Sequence, residues 1–477
     1  FKLFKGRGKG GEEKMRLVVL GSGWGSMSLI RKLDLDTVDL TVISPRPYFF
    51  YTPLLAGSAT GTVSQENICE SVRKSIVRVP TGGIPQGGRY IQARAIDVDM
   101  KNKSVLCSVG SESQDMSVPY DKLVVAVGAD SATYGIKGVK ENAYPLKEVE
   151  HAVAIRSKLL SLFERASSLK TLTEHNKKPT QIDTEIDRLV HFVVVGGGPT
   201  GTELCGELSD FIQSDIANSF PDIAKRVKIT MLEGLPRILS MFDENLASYA
   251  QSHLEERNVN IVTNVFVTDV GKTEAKLKTR DGKQNSISYG MLVWAAGITT
   301  RQLTRDLIKK IGPHKGQTSR RGLVVDESLR VVGCEDIYAI GDCAVSGLPP
   351  TAQVAQQQGK WLGRVLRQIT TDAAQPDSSF RFSYHDKGKM AYIGGSEGIV
   401  EVKLPKNPPK IDYEFWRDLH AREPRFTGTP GFVVWRSVYF SMLLSARNRV
   451  YIGMDWLRTA FFGRDIVASP QPKRKNT

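Results

Sequence analysis

A chain of 477 residues is too long for one simple core and suits two or three domains, and its 40% of hydrophobic residues is enough to fill them. The absence of low-complexity tracts and fixed-period repeats excludes solenoids and propellers, and no run of about 18 apolar residues offers a spanning helix. The formal charge of +14 points to an anionic partner such as lipid headgroups, nucleic acid or a phosphorylated cofactor.

The chain opens with "FKLFKGRGKGGEEK", a basic, Gly-rich stub (1–14) that reads either as the remnant of a removed targeting segment or as a flexible end. "MRLVVLGSGWGSMSLIRKL" then predicts a buried strand (Leu17 to Leu20), a Gly21-x-Gly23 turn and an amphipathic helix. Such a turn lets the backbone approach a pyrophosphate at a helix N-terminus. Ser26 replaces the third glycine of the usual pattern, with an extra Gly25 beside it. The next strand, "DLTVIS", ends in Ser44-Pro45-Arg46 instead of an acid, and read alone Arg46 hints at a 2′-phosphate and NADP. "LVVAVGA" (Leu123 to Ala129) is a strand ending in small residues that suits a crossing between two folds, as does "MLVWAAG" (Met291 to Gly297).

Between them lies a second strand–turn–helix, "HFVVVGGGPTGTELCGEL". Its strand His191 to Val195 leads into Gly196, Gly197 and Gly198, followed by Pro199, Thr200 and Gly201. The following strand, "VKITMLEG", ends in Glu233, placed to accept bonds from a ribose 2′-OH and to repel a 2′-phosphate, which favours NADH over NADPH. "EDIYAIGDCA" is a third buried strand, ending at Gly341-Asp342. In flavoproteins with two dinucleotide folds an aspartate here binds the flavin ribitol. The order is therefore FAD fold, inserted NAD fold, and return to the FAD fold.

Directly after comes "LPPTAQVAQQQGKWLG", a helix with Thr351 as N-cap and four glutamines, Gln353, Gln356, Gln357 and Gln358. Ala355, Gly359, Leu362, Leu366 and Ile369 fall near one face, while Gln353 and Gln357 fall opposite, beside Lys360; on its own that face reads as solvated. Near the C-terminus Trp435, Val438, Tyr439, Met442, Leu443 and Ala446 line one helix, and Val450, Met454, Leu457 and Phe461 a second, after a charged break "ARNR". From Gly431 to the end, Arg436, Arg447, Arg449, Arg458, Arg464, Lys473, Arg474 and Lys475 face only Asp455 and Asp465, as in helices lying in a membrane interface; the alternative is a core-capping pair. Five scattered cysteines, none in Cys-x-x-Cys, fit a reducing compartment, and the seven histidines form no His-x-x-x-His cluster, so no metal is expected.

The segments "VVLGSGWGSMSLIRKLD", "VISPRPYFFYTPLLAG", "VVVGGGPTGTELCGEL", "VWAAGI", "IYAIGDCA", "LPPTAQVAQQQGKWL" and "GFVVWRSVYFSMLLSARNRVYIGMDWLRTAFFGRDI" together resemble the type II (alternative) NADH:quinone oxidoreductases, the rotenone-insensitive, non-pumping respiratory dehydrogenases. The resemblance runs from about Arg16 to Ile466 and leans toward the mitochondrial members, whose second strand also ends in Ser-Pro-Arg, which removes the NADP suggestion. It implies an α/β fold with two Rossmann-like dinucleotide-binding domains, the NAD domain inserted in the FAD domain, plus a C-terminal membrane-associating domain. The corresponding boundaries are a stub at 1–14, an FAD domain at 15–145 and 320–375, an NADH domain at 146–319, and a C-terminal domain at 376–477.

Carried onto this chain, the resemblance implies that Gly21, Ser22, Gly23, Trp24 and Gly25 cradle the FAD pyrophosphate and that Ser44, Pro45 and Arg46 frame its adenosine. Thr52, Pro53 and Leu54 approach the isoalloxazine, Gly341 and Asp342 hold the ribitol, and Gly128, Gly297 and Ala352 lie close to the cofactors. Gly197, Gly198, Pro199, Thr200, Gly201 and Glu233 hold NADH. Glu203 sits near the meeting point of nicotinamide and flavin; its alternative is a plain helix-start carboxylate favoured by the dipole. Gln353 and Gln357 match an "AQ-x-A-x-Q" pattern associated with the quinone site, where a neutral amide can bond a carbonyl without repelling an apolar ring.

The expected activity is hydride transfer from NADH to non-covalent FAD, then two electrons to membrane ubiquinone without proton pumping. The expected setting is the face of the mitochondrial inner membrane, as a peripheral homodimer binding anionic lipid and no nucleic acid. The segment from Ser167 to Arg188 lacks an Asp-x-Asp-x-Asp-Gly loop, so calcium control is not expected. Sulfide:quinone oxidoreductase, which needs reactive cysteines near the flavin, and a nucleic-acid-binding or assembly flavoprotein are the alternatives.

Overall fold

The computed structural model describes residues 14–78, 86–110, 114–175, 179–372, 380–403 and 425–467. Most of the basic stub, the boundary at 375/376 and the tail cations Lys473, Arg474 and Lys475 lie outside them. The chain forms two compact units: residues up to Phe50 with Cys69–Asp130 and Ile298–Asp386, and Tyr51–Ile68 with Ser131–Gly297 and residues from Lys387 on. The units change over at the ends of the two strands read as crossings, against sequence boundaries of 145 and 319. Apolar runs show where a strand lies; they do not show in which core the next residues settle.

The first unit is built on a five-stranded, all-parallel sheet in the order Ile337–Ala339, Lys122–Val125, Met15–Leu20, Val38–Ile43, Arg89–Ile91. Its strands are short and mostly apolar, as expected where both faces are covered. Val18, Leu20, Leu123, Val125, Ile337 and Ala339 enter one core with Leu303, Leu307 and Ile311 of the helix Gln302–Ile311. On the sheet lie the helices Trp24–Ile30 and Ala352–Asp372, which approach so closely that a Cβ on Gly359 would stand 2.2 Å from the Gly25 carbonyl oxygen.

The second unit repeats the plan. Its parallel sheet runs Tyr144–Pro145, Met291–Trp294, His191–Val195, Lys228–Leu232, Val259–Val262. The helices Val149–His175 and Pro179–Leu189 carry the described residues of the Ser167–Arg188 segment, with Arg226 bonded to both Asp183 and Asp187 at 2.5 and 2.7 Å. A three-stranded antiparallel sheet, Gly388–Gly394, Glu397–Val402 and Arg425–Phe426, supports the helix Gly428–Met442. Gly431 is required there, because a Cβ would meet the Gly398 oxygen at 2.1 Å.

A second helix follows at Ala446–Phe462, with Ser445 as N-cap accepting from the Asn448 N–H at 3.2 Å. The charged run Ala446–Arg449 is thus the first turn of this helix and not the break, which is Leu443–Ser445. The cap explains the difference: a serine hydroxyl satisfying an open N–H starts a helix whatever the charge of the next residues.

Candidate functional site

The two glycine turns are superimposable in their chemistry. Gly21 has φ +102° and donates to the Ile43 carbonyl at 2.8 Å; Gly196 has φ +108° and donates to the Leu232 carbonyl at 2.8 Å. A Cβ on Gly21 would meet the Ala126 oxygen at 2.4 Å, and one on Gly196 the Ala295 oxygen at 2.8 Å. Two residues beyond those carbonyls, Gly128 and Gly297 take φ +69° and +68°. Packing therefore requires the first glycine of each turn.

It does not require the middle ones. A Cβ on Gly23, Gly198 or Gly128 would touch no protein atom within 4 Å, so these glycines border open space. Gly23 and Gly198 are the N-caps of Trp24–Ile30 and Pro199–Phe211. A pyrophosphate laid over such a turn explains glycines that packing does not demand, and these cradles fit two dinucleotides, FAD and NADH. Gly201 plays the third-glycine part, since a Cβ there would stand 1.9 Å from the Gly196 oxygen.

The second-strand ends differ between the units. In the first, the buried Ser22 hydroxyl lies 3.1 Å from the Ser44 hydroxyl and donates to the Tyr48 carbonyl at 2.9 Å, while Arg46 lies over the Phe50 ring at 5.2 Å. Trp24 packs edge-on against Phe49 with ring centroids 5.0 Å apart, so its role here is in the core beneath the turn. In the second, the Glu233 carboxylate accepts the Gly197 N–H at 2.5 Å and the Leu235 N–H at 2.8 Å, fixing an acid beside the turn as the sequence pattern requires.

Gly341–Cys343 forms a single 3-10 turn after the strand Ile337–Ala339, with Gly341 at φ +73°. Gln358, 1% exposed, holds this turn: its Oε1 accepts the Gly341 N–H at 2.7 Å and its Nε2 donates to Ser346 Oγ at 3.0 Å. Thr351 caps the following helix, accepting from the Val354 N–H at 3.2 Å. Neither Gln353 nor Gln357 lies on a wet face; both are half-buried. Gln353 Oε1 accepts the Tyr384 hydroxyl at 3.0 Å. Gln357 spends both ends of its amide on the His385 backbone, donating at 2.8 Å and accepting at 3.0 Å.

In the second unit the 3-10 turn Thr52–Leu54 borders a cleft lined by Pro53, Leu54, Glu203, Tyr392, Trp435 and Arg436, among others. Glu203 lies in the second turn of its helix, buried, accepting a long bond from the Tyr392 N–H (3.4 Å) and one from the Trp435 indole N–H (3.3 Å). Burial pushes its carboxyl up to about 8, with the neighbouring Glu207 adding to the rise. This is the reverse of a helix-start carboxylate, whose ionised form the dipole would favour. Burial and the Glu203 charge likewise push the Tyr51 phenol far up, and its ring meets Tyr439 edge-on at 6.0 Å. Sequence reasoning missed Gln358, Tyr392 and Tyr51; the fourth glutamine of the run was a visible signal for the first, and nothing marked the other two.

Arg436 is sandwiched between Phe432 (5.3 Å) and Trp456 (4.1 Å), joining the two C-terminal helices. On the second helix Val450, Met454, Leu457 and Phe461 stand 57–77% exposed, an apolar stripe with Arg447, Arg449 and Arg458 also exposed. Among the described residues no helix is long and apolar enough to cross a membrane.

Residues 15–359 match the pyridine nucleotide-disulphide oxidoreductase family, and residues 386–465 match the NDH2 C-terminal domain. The mitochondrial external NADH-ubiquinone oxidoreductase 2 of Saccharomyces cerevisiae is 39% identical, over 95% of this chain and 82% of its own. The mitochondrial external alternative NADH-ubiquinone oxidoreductase of Yarrowia lipolytica is 36% identical, over 95% and 80%. The solved structure of NDH2 from Plasmodium falciparum in complex with NADH superposes with a TM-score of 0.83 at 26% identity, covering 95% of this chain and 100% of that one. The sulfide:quinone oxidoreductase of Aquifex aeolicus shares the fold alone, with a TM-score of 0.66 at 17% identity over 94% of this chain and 96% of that one.

Proposed function

The chain belongs to the type II NADH:quinone oxidoreductases, and within that family we propose that it oxidises NADH through FAD and reduces ubiquinone at the surface of the mitochondrial inner membrane, without pumping protons. The observation that carries this reading is the duplicated glycine turn, each copy with unpacked space before its middle glycine, only one of them closed by an acid. FAD, when bound, supplies the hydride acceptor and the two-electron relay. Gly21, Ser22, Gly23 and Gly25, the Ser44–Arg46 corner, Gly128, Gly341, Asp342 and Ala352 would hold it, with Trp24 supporting the turn from below.

On the donor side, Gly197 to Gly201 and Gly297 receive NADH, with phosphates at the start of the helix Pro199–Phe211, where N–H groups and the dipole favour anions. Glu233 accepts the ribose hydroxyls and opposes a 2′-phosphate. On the acceptor side, Glu203 keeps a proton on its carboxyl at neutral pH, buried at the wall of an aromatic-lined cleft. A protonated carboxyl can donate to a quinone oxygen as it gains electron density; an ionised one would repel it. Gln353, its Oε1 fixed by Tyr384, can donate to a quinone carbonyl, whereas the Gln357 amide serves the His385 backbone and so acts in support.

The exposed stripe on Ala446–Phe462 rests in the lipid interface with the flanking arginines at anionic headgroups, which brings the cleft to a lipid-soluble substrate. Sulfide chemistry is disfavoured: burial pushes the Cys343 thiol up to about 11 and the Cys107 thiol to about 12, away from the reactive thiolate. The test is NADH oxidation by purified protein with NADPH as parallel donor, with and without a short-chain ubiquinone, following nicotinamide and quinone together. Quinone-dependent turnover with NADH preferred is expected. Turnover with sulfide, or tight salt-sensitive DNA binding without NADH oxidation, would overturn the assignment.

A further inference from the structure

The helix Pro199–Phe211 carries a second buried carboxylate, Glu207, one turn beyond Glu203 and lining the same cleft. Its partner comes from far along the chain. Arg464, just past the surface helix Ala446–Phe462, has a side chain only 8% exposed and lies between two carboxylates: Nη2 is 3.3 Å from Glu207 Oε2, and Nη1 is 3.0 Å from Asp215 Oδ2. Its Nε donates to Thr62 Oγ1 at 2.9 Å, and Thr62 in turn donates to Glu207 Oε2, which Thr60 also bonds at 3.0 Å.

The backbone is shaped for this arrangement. Gly463 turns at φ +76°, and a Cβ there would stand 2.5 Å from Asp215 Oδ1; the turn delivers the Arg464 N–H to that oxygen at 2.7 Å. Asp215 itself sits in a π turn, Ile212–Ile216, an energetically unfavourable winding that persists where it re-aims a side chain. Gly57 presses its backbone against Glu207, with only 3.0 Å from the position of a Cβ to Oε1.

We propose that Arg464 and Glu207 are a positioning pair for the acceptor half-reaction: Arg464 favours the carboxylate form of Glu207, and that negative charge, one helical turn away, reinforces burial in keeping the Glu203 carboxyl neutral and proton-carrying. The inference rests on the assignment of this cleft to quinone reduction. The groups facing Glu207 are Glu203 and Asp210 on its own helix, Asp215 in the π turn, the Thr60 and Thr62 hydroxyls, Tyr392, Arg436 and Arg464. Of the cations, only Arg464 is within ion-pair distance of the Glu207 carboxylate among the described residues. Burial raises Glu207 overall, the guanidinium and the two threonine hydroxyls offsetting part of that rise, while the Glu207 charge adds to the rise at Glu203. The same arginine ends the lipid-facing helix, which Thr459 and Asp455 also fasten to the 62–67 loop by bonds to the Thr62 carbonyl and to Ser64 and Asn67.

The test is pH-difference infrared spectroscopy on the purified protein, which sees protonated buried carboxyls directly. The band lost in Glu203→Gln is that of Glu203, and in the wild type it should disappear around pH 8. Glu207→Gln should move that midpoint down by about one unit or more, because a like charge has been removed. Arg464→Met should add a second protonated-carboxyl band, from Glu207, and Arg464→Lys should abolish it again. If Glu207→Gln leaves the midpoint in place, burial alone sets the Glu203 proton and the proposal fails; this variant remains informative should Arg464→Met not accumulate. A band that shifts as expected, in a protein whose quinone turnover ignores Glu203→Gln, upholds the pair and removes the acceptor-site reading. A band that stays put while Glu203→Gln abolishes quinone turnover does the reverse.

Discussion

Gly359→Ala is a test of how tightly the glutamine helix is set. In an open helix the substitution would stabilise by about 1 kcal/mol, through lower backbone entropy in the unfolded chain. Here the new methyl would stand 2.2 Å from the Gly25 carbonyl oxygen and 3.0 Å from the Gly25 carbonyl carbon and Ser28 Cβ. Ordinary contact needs roughly another 1 Å, and the nearest obstacle is backbone, so no rotamer change relieves it. Parting the helices by that amount costs about 1–3 kcal/mol by analogy with overpacked cores, which outweighs the gain in propensity and leaves a net loss of up to about 2 kcal/mol. Because Gln358 beside it holds the Gly341 turn, flavin retention should fall together with thermal stability. Bound flavin per protein by absorbance and the melting temperature by calorimetry give both numbers. A variant with wild-type flavin content and a raised melting temperature would refute the close crossing. Gly363→Ala, which meets the Leu29 oxygen at 2.6 Å and the Lys32 Cβ at 2.9 Å, should be milder, because its nearest backbone atom stands farther off.

Glu203 makes stability depend on pH in a stated direction. The folded protein keeps its proton to about 8, while the unfolded carboxyl releases it near 4.5, so stability is lost as pH rises between those values. The full effect is on the order of 5 kcal/mol. Melting temperatures of wild type and Glu203→Gln should therefore diverge across that window, and parallel curves would count against a buried neutral acid. Glu233→Ala removes the acceptor of two backbone N–H groups and the charge opposing a 2′-phosphate; NADH preference over NADPH in paired kcat/KM measurements should fall at least roughly tenfold. Gln353→Leu should raise the quinone KM by roughly tenfold, the worth of one hydrogen bond, whereas Gln357→Leu should mainly lower the melting temperature by releasing His385. Replacing Val450, Met454, Leu457 and Phe461 together by Ser should abolish sedimentation with anionic vesicles while leaving the melting temperature in solution nearly unchanged, since all four are exposed.

Turns announce themselves and distant partners do not. Gly21, Gly196 and Glu233 were legible because a tight strand-to-helix turn demands particular residues at fixed spacing, and the structure supplies the steric reason at each glycine. The Thr351 cap was legible for the same reason. Gln357 looked like a companion of Gln353 because helical periodicity places them on one face, yet periodicity is blind to the segment that lies over that face and claims one of the amides. Arg464 was counted only as surface charge; its partner Glu207 is 257 positions away, and nothing local distinguishes an arginine that will be buried from one that will not. The misplaced break at "ARNR" has the same origin, charge having been weighed above the small serine that starts the helix.

The first unit's sheet is closed by a strand, Ile337–Ala339, that pairs with Lys122–Val125 across the whole intervening second Rossmann sheet. A chain emerging from the ribosome presents Lys122–Val125 with one edge unpaired until the later strand is made, at ordinary elongation rates a wait of about ten to forty seconds. During that interval the inserted parallel sheet is already complete in sequence, so it closes first and shortens the span that the outer sheet must bridge. The interrupted plan therefore sets an order of assembly: the nucleotide-donor sheet has all its strands while the flavin sheet is still waiting for its last one, and an exposed apolar edge at residues 122–125 is the form that a chaperone would meet.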